Sequence, residues 1–135
     1  MKYLLIATFL IAGLANGQST PEKVKQVFSK NHPSATAIKW EKEDGNFEVS
    51  FKENSIQFSI IYNAQAILLE TEQEISLSDL PASIKTYMAK HYPSNALKGA
   101  ARITNAEGIV TYEAAIKRKD VIFDAAGKFV REIKD

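Results

Sequence analysis

The chain has no cysteine, one tryptophan and only two histidines in 135 residues. Without cysteine there is no disulfide, no thiolate nucleophile and no thiolate-held metal, so stability has to come from a packed apolar core. His32 and His91 stand far apart in the sequence. A zinc site takes three or four protein ligands at tight spacing, so two isolated histidines do not make one. No metal site and no cofactor are expected. Excess charge is missing too, with 17 Lys+Arg against 16 Asp+Glu. A balance near zero gives no long-range attraction to nucleic acid or to an anionic membrane surface. No stretch interleaves basic with aromatic residues, and there is no Gly-rich phosphate loop and no Gly-x-Ser-x-Gly elbow. Asp124-Ala-Ala-Gly127 lacks the alternating acids and closing Glu of a calcium loop and reads as a turn between strands. These absences argue against catalysis and leave a binding protein as the natural class.

One long apolar run is present, at the start. Lys2 is followed by Tyr3 to Leu14, interrupted only by Thr8 and Gly13, and then by the small residues Ala15 and Gly17 flanking Asn16. That is the three-part pattern of a secretory signal, with cleavage expected after Gly17. The run is shorter than the roughly 20 residues of a membrane span, so no membrane insertion is expected after cleavage. The expected location is periplasmic or secreted.

The remainder reads as one module written twice. Pro21 to Ser34 lies over Pro81 to Ser94, with Lys25/Lys85, Lys30/Lys90 and both prolines of each segment identical. Phe47 to Lys52 lies over Tyr112 to Lys117, and Ile61 to Ala64 over Ile122 to Ala125. Each copy starts with a helix. Thr20 is expected to cap the first, with Pro21 at its first position, and Ser78 or Asp79 the second. Val24, Val27 and Phe28 form one apolar stripe; Leu80, Ile84, Tyr87, Met88 and His91 form the other, His91 being expected partly buried and hydrogen-bonded. Pro33 and Pro93 stop both helices. Period-two alternation then marks strands: Phe47, Val49 and Phe51 against Glu48, Ser50 and Lys52; Ile56, Phe58, Ile60 and Tyr62 against Gln57, Ser59 and Ile61; Val110, Tyr112, Ala114 and Ile116 against Thr111, Glu113, Ala115 and Lys117. Turn residues occupy Glu43–Asn46, Glu53–Ser55, Asn63–Gln65 and Asp124–Gly127. The expected class is α+β: a tandem repeat of two modules (18–75 and 76–135), each one helix on a four-stranded antiparallel meander. Glu70 to Ser78 is expected to link them, and Ile38 and Trp40 to join the core.

The stretch Ile38 to Lys52, the segment Ser78 to Lys85 with His91-Tyr92-Pro93, and the closing Phe123-Asp-Ala-Ala-Gly-Lys-Phe129 resemble the PepSY-like domains grouped with the beta-lactamase-inhibitor-like (BLIP-like) fold. The resemblance covers nearly all of the chain after the leader. It implies an exported protein of the bacterial envelope, and PepSY domains more broadly are associated with restraining secreted peptidases. No inhibitor contact residue is carried over to a position here.

Candidate sites follow from parity. The polar side of the strands is expected to be a broad outward face, on which Ile61 and Ile122 occupy equivalent places and break the polar pattern. The expected partner-binding residues are Glu48, Ser50, Lys52, Gln57, Ser59, Ile61, Thr111, Glu113, Lys117 and Ile122, with a protein as partner and no catalytic residue. Glu70, Glu72 and Glu74 alternate, so an extended chain puts all three on one side, where they could hold calcium or attract a basic partner; a solvated linker face is the plainer reading. The alternative to protein binding is a small-molecule or ion binder using a cleft between the modules.

Overall fold

In the computed structural model, which describes residues 19–134, two helices pack on one eight-stranded antiparallel sheet. The helices are α1 (Glu22–Asn31) and α2 (Ala82–His91). The strands are β1 (Thr36–Glu43), β2 (Asn46–Glu53), β3 (Ile56–Tyr62), β4 (Leu68–Ile75), β5 (Gly99–Asn105), β6 (Val110–Ile116), β7 (Lys119–Asp124) and β8 (Phe129–Lys134). They pair in sequence order as a continuous meander. The expected signal peptide, residues 1–17, lies outside the described residues. No helix among the described residues is long and apolar enough to cross a membrane.

Both helices begin differently from expectation. Neither has a side-chain cap; Pro21 and Pro81 are the N-caps themselves, with ψ of 139° and 140°. Their carbonyls take the first amides, Val24 N–H at 3.0 Å and Ile84 N–H at 3.0 Å. Ser78 and Asp79 instead belong to a single 3-10 turn, Leu77–Asp79, ahead of α2. The ends are as the prolines dictate. His32 and Tyr92, each preceding a proline, leave the helical region at φ −130°.

The alternation sets the core. Val24 and Phe28 of α1 pack on Phe47, Val49, Phe51, Ile60 and Tyr62, with Trp40 half-buried at the margin. Leu80, Ile84 and Met88 of the α2 region pack on Ala100, Ala114, Ile116, Val121 and Phe123. Following the pairing register across the sheet puts both clusters on the same face. Between them the register brings Thr71 and Gln73 of β4 beside Thr104 and Arg102 of β5. Polar side chains there explain why the apolar material divides in two while the backbone ladder runs on. The segment from Glu70 to Ile75 is therefore not a linker: it is strand, pairing with β3 on one side and β5 on the other. Ile38 is not core either. It sits on edge strand β1 beside a register shift and is 48% exposed. His91 is exposed rather than buried, its ring stacked on Tyr87 at 4.1 Å.

Three turns share one design. The side-chain oxygens of Asn63, Asn105 and Asp124 each accept the N–H of the residue four positions on, at 3.0, 2.9 and 2.9 Å. The residue three positions on then takes positive φ: Ala66 at 63°, Gly108 at 82° and Gly127 at 82°. Gly108 has open space around it, whereas a Cβ on Gly127 would lie 2.0 Å from Ser83 Oγ on α2. Gly108→Ala should therefore cost about 1–2 kcal/mol of left-handed strain alone. Gly127→Ala should cost measurably more, because Ser83 and the helix carrying it must also move. Denaturant melts of the two variants check the difference.

Candidate functional site

The face opposite the helices is not a flat, solvated surface. Eight strands at about 4.8 Å spacing would put β1 and β8 more than 30 Å apart in a flat sheet. Yet one cavity of about 240 Å³ is lined by Glu43 at the end of β1, Glu48 of β2, Ile61 of β3, Glu72 of β4, Ile103 of β5, Thr111 of β6, Ile122 of β7 and Arg131 of β8. The sheet curls so that all eight strands contribute to its inner wall.

Alternation places acids there from several strands. Register pairs Glu48 with Ile61, Ser59 with Glu72, Glu72 with Ile103, and Glu113 with Ile122, so carboxylates and isoleucines tile the wall. Glu48, Glu72 and Glu113 are 2, 4 and 3% exposed, and Asp120 beneath them is fully buried. Six carboxylates line the cavity (Glu43, Asp44, Glu48, Glu70, Glu72 and Glu113) against one cation, Arg131.

Burying like charges has the expected consequence. Glu72 is pushed up to about 8, first by loss of solvent and then by the neighbouring carboxylates of Glu70, Glu48 and Asp120. Burial also raises Glu48, against the opposing hydrogen bond that Ser59 Oγ donates to its Oε1 at 2.8 Å, while the nearby Glu43 and Glu41 raise it further. Burial raises Glu70 as well, with Arg131 opposing. No donor reaches Glu48 Oε2 or Glu72 Oε1, although both oxygens are out of contact with solvent. Near neutral pH, Glu72 holds its proton.

Of the residues picked out by parity, Glu48, Ile61, Thr111, Glu113 and Ile122 meet around this cavity, and Ser59 supports it through Glu48. Ser50 and Gln57 are half-buried on the same face, outside the lining. Lys52 is exposed toward the end of β2, and Lys117 falls in the β6–β7 turn, not on a strand. The expected exposure is corrected for four of them: Glu48, Ser59, Glu113 and Ile122 are 2, 3, 3 and 3% exposed, because the sheet curls over them. Sequence reasoning did not place Glu43, Asp44, Asn46, Glu70, Glu72, Ile103, Arg131 and Ile133 at the site. For Glu70 and Glu72 the signal is the alternation with Glu74, which by sequence alone falls on an expected linker. Among the described residues no group of three or more His, Cys, Asp or Glu is placed to hold a metal ion.

No family model matches the chain, and no curated protein matches it. Solved structures do. One from Bacteroides eggerthii, provisionally described as periplasmic, aligns over 87% of this chain and 90% of its own at a TM-score of 0.78 and 14% identity. A DUF2874 family protein from Bacteroides ovatus covers 87% of this chain and 89% of its own, at a TM-score of 0.73 and 15% identity. A BLIP-like protein from Bacteroides fragilis covers 89% of both chains, at a TM-score of 0.70 and 21% identity. The resemblance read from Ile38–Lys52 and its companion segments thus stands at the level of the fold: the chain has the BLIP-like architecture shared by these Bacteroides proteins.

Proposed function

We propose that this is an exported, non-catalytic binding protein that receives a protein partner on the inner face of its curled sheet. The observation that carries the reading is the cavity itself, walled by isoleucines and carboxylates, among them one buried oxygen each of Glu48 and Glu72 that no donor reaches. Such groups are costly to bury unless something completes them. The pattern of acidities favours binding over catalysis. A catalytic carboxyl pair needs one group pushed up and its mate held low, whereas Glu48, Glu70 and Glu72 all move upward. The histidines stand apart from the cavity, His32 beside Phe28 and Phe51 and His91 on Tyr87. Export rests on the leader pattern of residues 1–17, and the periplasmic description of the Bacteroides eggerthii neighbour supports it. The two successions of one helix and four strands support a tandem origin, with units at 18–75 and 76–135. The BLIP-like resemblance makes an envelope peptidase or another hydrolase the natural partner to examine.

Ile61 gives the test, since it lines the cavity yet is only half-buried. Ile61→Lys should leave the protein folded while abolishing capture of the protein that the wild-type chain retains from envelope extract, because the new ammonium reaches the neighbouring carboxylates and fills the cavity from within. Equal capture by the two folded proteins would overturn the reading.

A further inference from the structure

Building on that reading of the inner face, we propose that the cavity is a socket for an ammonium group on an alkyl stem, a lysine side chain of the protein partner. Three observations select this chemistry. The wall combines carboxylates with Ile61, Ile103, Ile122 and Ile133, which suits a ligand with an apolar stem and a charged tip. A bare metal ion has no use for the isoleucines, and the carboxylates are spread around the wall rather than converging as ion ligands. The acceptors awaiting a donor lie on different strands, Glu48 Oε2 on β2 and Glu72 Oε1 on β4, with both side chains at least 96% buried. Glu48 already uses one oxygen for Ser59, and its carboxyl meets that of Glu43, so it offers a single acceptor next to a second carboxyl. A guanidinium fork prefers two oxygens of one carboxylate, while an ammonium directs three separate donors to scattered ones. Lysine fits, and arginine fits less well.

Entry of the ammonium requires a proton to leave. Glu72 is protonated near neutral pH, and the charged groups around the socket are Glu41 and Glu43 on β1, Asp44 in the turn that follows, Glu48 on β2, Glu70 on β4, Glu113 on β6, Asp120 on β7 and Arg131 on β8. Of these, Glu43, Glu48, Glu70 and Glu72 hold their protons more readily than in water, first because of burial. The cation therefore exchanges for a proton, and its binding tightens as pH rises toward about 8 and levels off above it.

The probe is Nα-acetyl-lysine N-methylamide, titrated calorimetrically into the whole protein in buffers of different ionisation enthalpy. Saturable binding is expected, with net proton release at pH 7 and affinity rising from pH 6 to 9. The norleucine analogue, equal in stem but without charge, should give no saturation. Glu72→Gln combined with Glu48→Gln should weaken the lysine probe by about tenfold or more, since charge-assisted contacts are lost. Absence of saturable binding, equal binding of the norleucine analogue, or an unchanged affinity in the folded double variant would each overturn the socket. Capture from envelope extract separates this failure from that of the broader reading. Partner retention that survives the double Gln variant but not Ile61→Lys would remove the lysine assignment and leave the inner face as the binding surface.

Discussion

Phe51→Ala should destabilise the protein by about 3–5 kcal/mol, and Ile116→Ala by about 2–5 kcal/mol. Phe51 is fully buried, with ring centroids 4.9 Å from Phe28, 4.9 Å from His32 and 5.5 Å from Phe58. Truncation removes the side chain that α1 closes upon, and the surrounding rings cannot collapse far into the gap. Ile116 does the equivalent work beside Ala114 and Val121 in the second cluster. Val130, 47% exposed on edge strand β8, is the control, and its change to alanine should stay within about 0.5 kcal/mol. The location of the probe adds a sharper expectation. Trp40 belongs to the first cluster and Ile116 to the second. Strands β4 and β5 join the two halves through six paired positions, from Glu70↔Asn105 to Ile75↔Ala100. If this ladder makes unfolding one event, Ile116→Ala should lower the transition seen by Trp40 fluorescence as much as that seen by far-UV circular dichroism. Two separated transitions would mean that the halves unfold independently.

The helices, the strand phases and the core side chains of β2, β3 and β6 were legible because each rests on local periodicity. Phe47, Val49 and Phe51 can only share a face if the segment is extended, and the ladder puts them where that parity demands. The prolines at 33 and 93 marked the helix ends for an equally local reason. Caps were misread because a threonine or serine before a helix is an ordinary cap, and nothing local says that the proline carbonyl will serve instead. Closure of the inner face was not legible at all. Whether Ile122 meets water depends on how far the sheet curls, and curling is a property of eight strands together. The same ignorance hid Glu72. Its alternation with Glu70 and Glu74 was visible, but a polar run between two helix-plus-strand patterns looks like a solvated connection. Only the pairing of β4 with β3 and β5 turns that row of carboxyls into the floor of a cavity. The parity that groups Ile61 with Ile122 was legible, but not that both join carboxylates in the wall of one cavity.

The buried acids should make stability depend on pH in the sense opposite to that of a protein held by salt-bridged carboxylates. Glu72 has an ordinary value near 4.5 when unfolded and about 8 when folded. Between those values the folded chain holds a proton that the unfolded chain releases, so stability falls as pH rises. The contribution is fully present below about 4.5 and is lost as pH rises through about 8. Glu48 and Glu70, raised by burial, act in the same direction. One pKa unit corresponds to about 1.4 kcal/mol, so the loss between pH 5 and pH 9 should be on the order of 3 kcal/mol once water entry into the open cavity is allowed for. In a chain of this size that is a fall in Tm of about 10 °C. Glu72→Gln isolates the cause. Glutamine keeps the shape of the protonated acid and cannot ionise, so the variant should match the wild type near pH 5 and exceed it clearly at pH 9. Thermal melts of both proteins at the two pH values decide the matter. A variant whose pH dependence parallels the wild type's would move the cause to Glu48 and Glu70, and a wild type that is no less stable at pH 9 than at pH 5 would mean that Glu72 is already ionised in the folded chain. The pocket would then hold a standing negative charge, and a cation would enter it without displacing a proton.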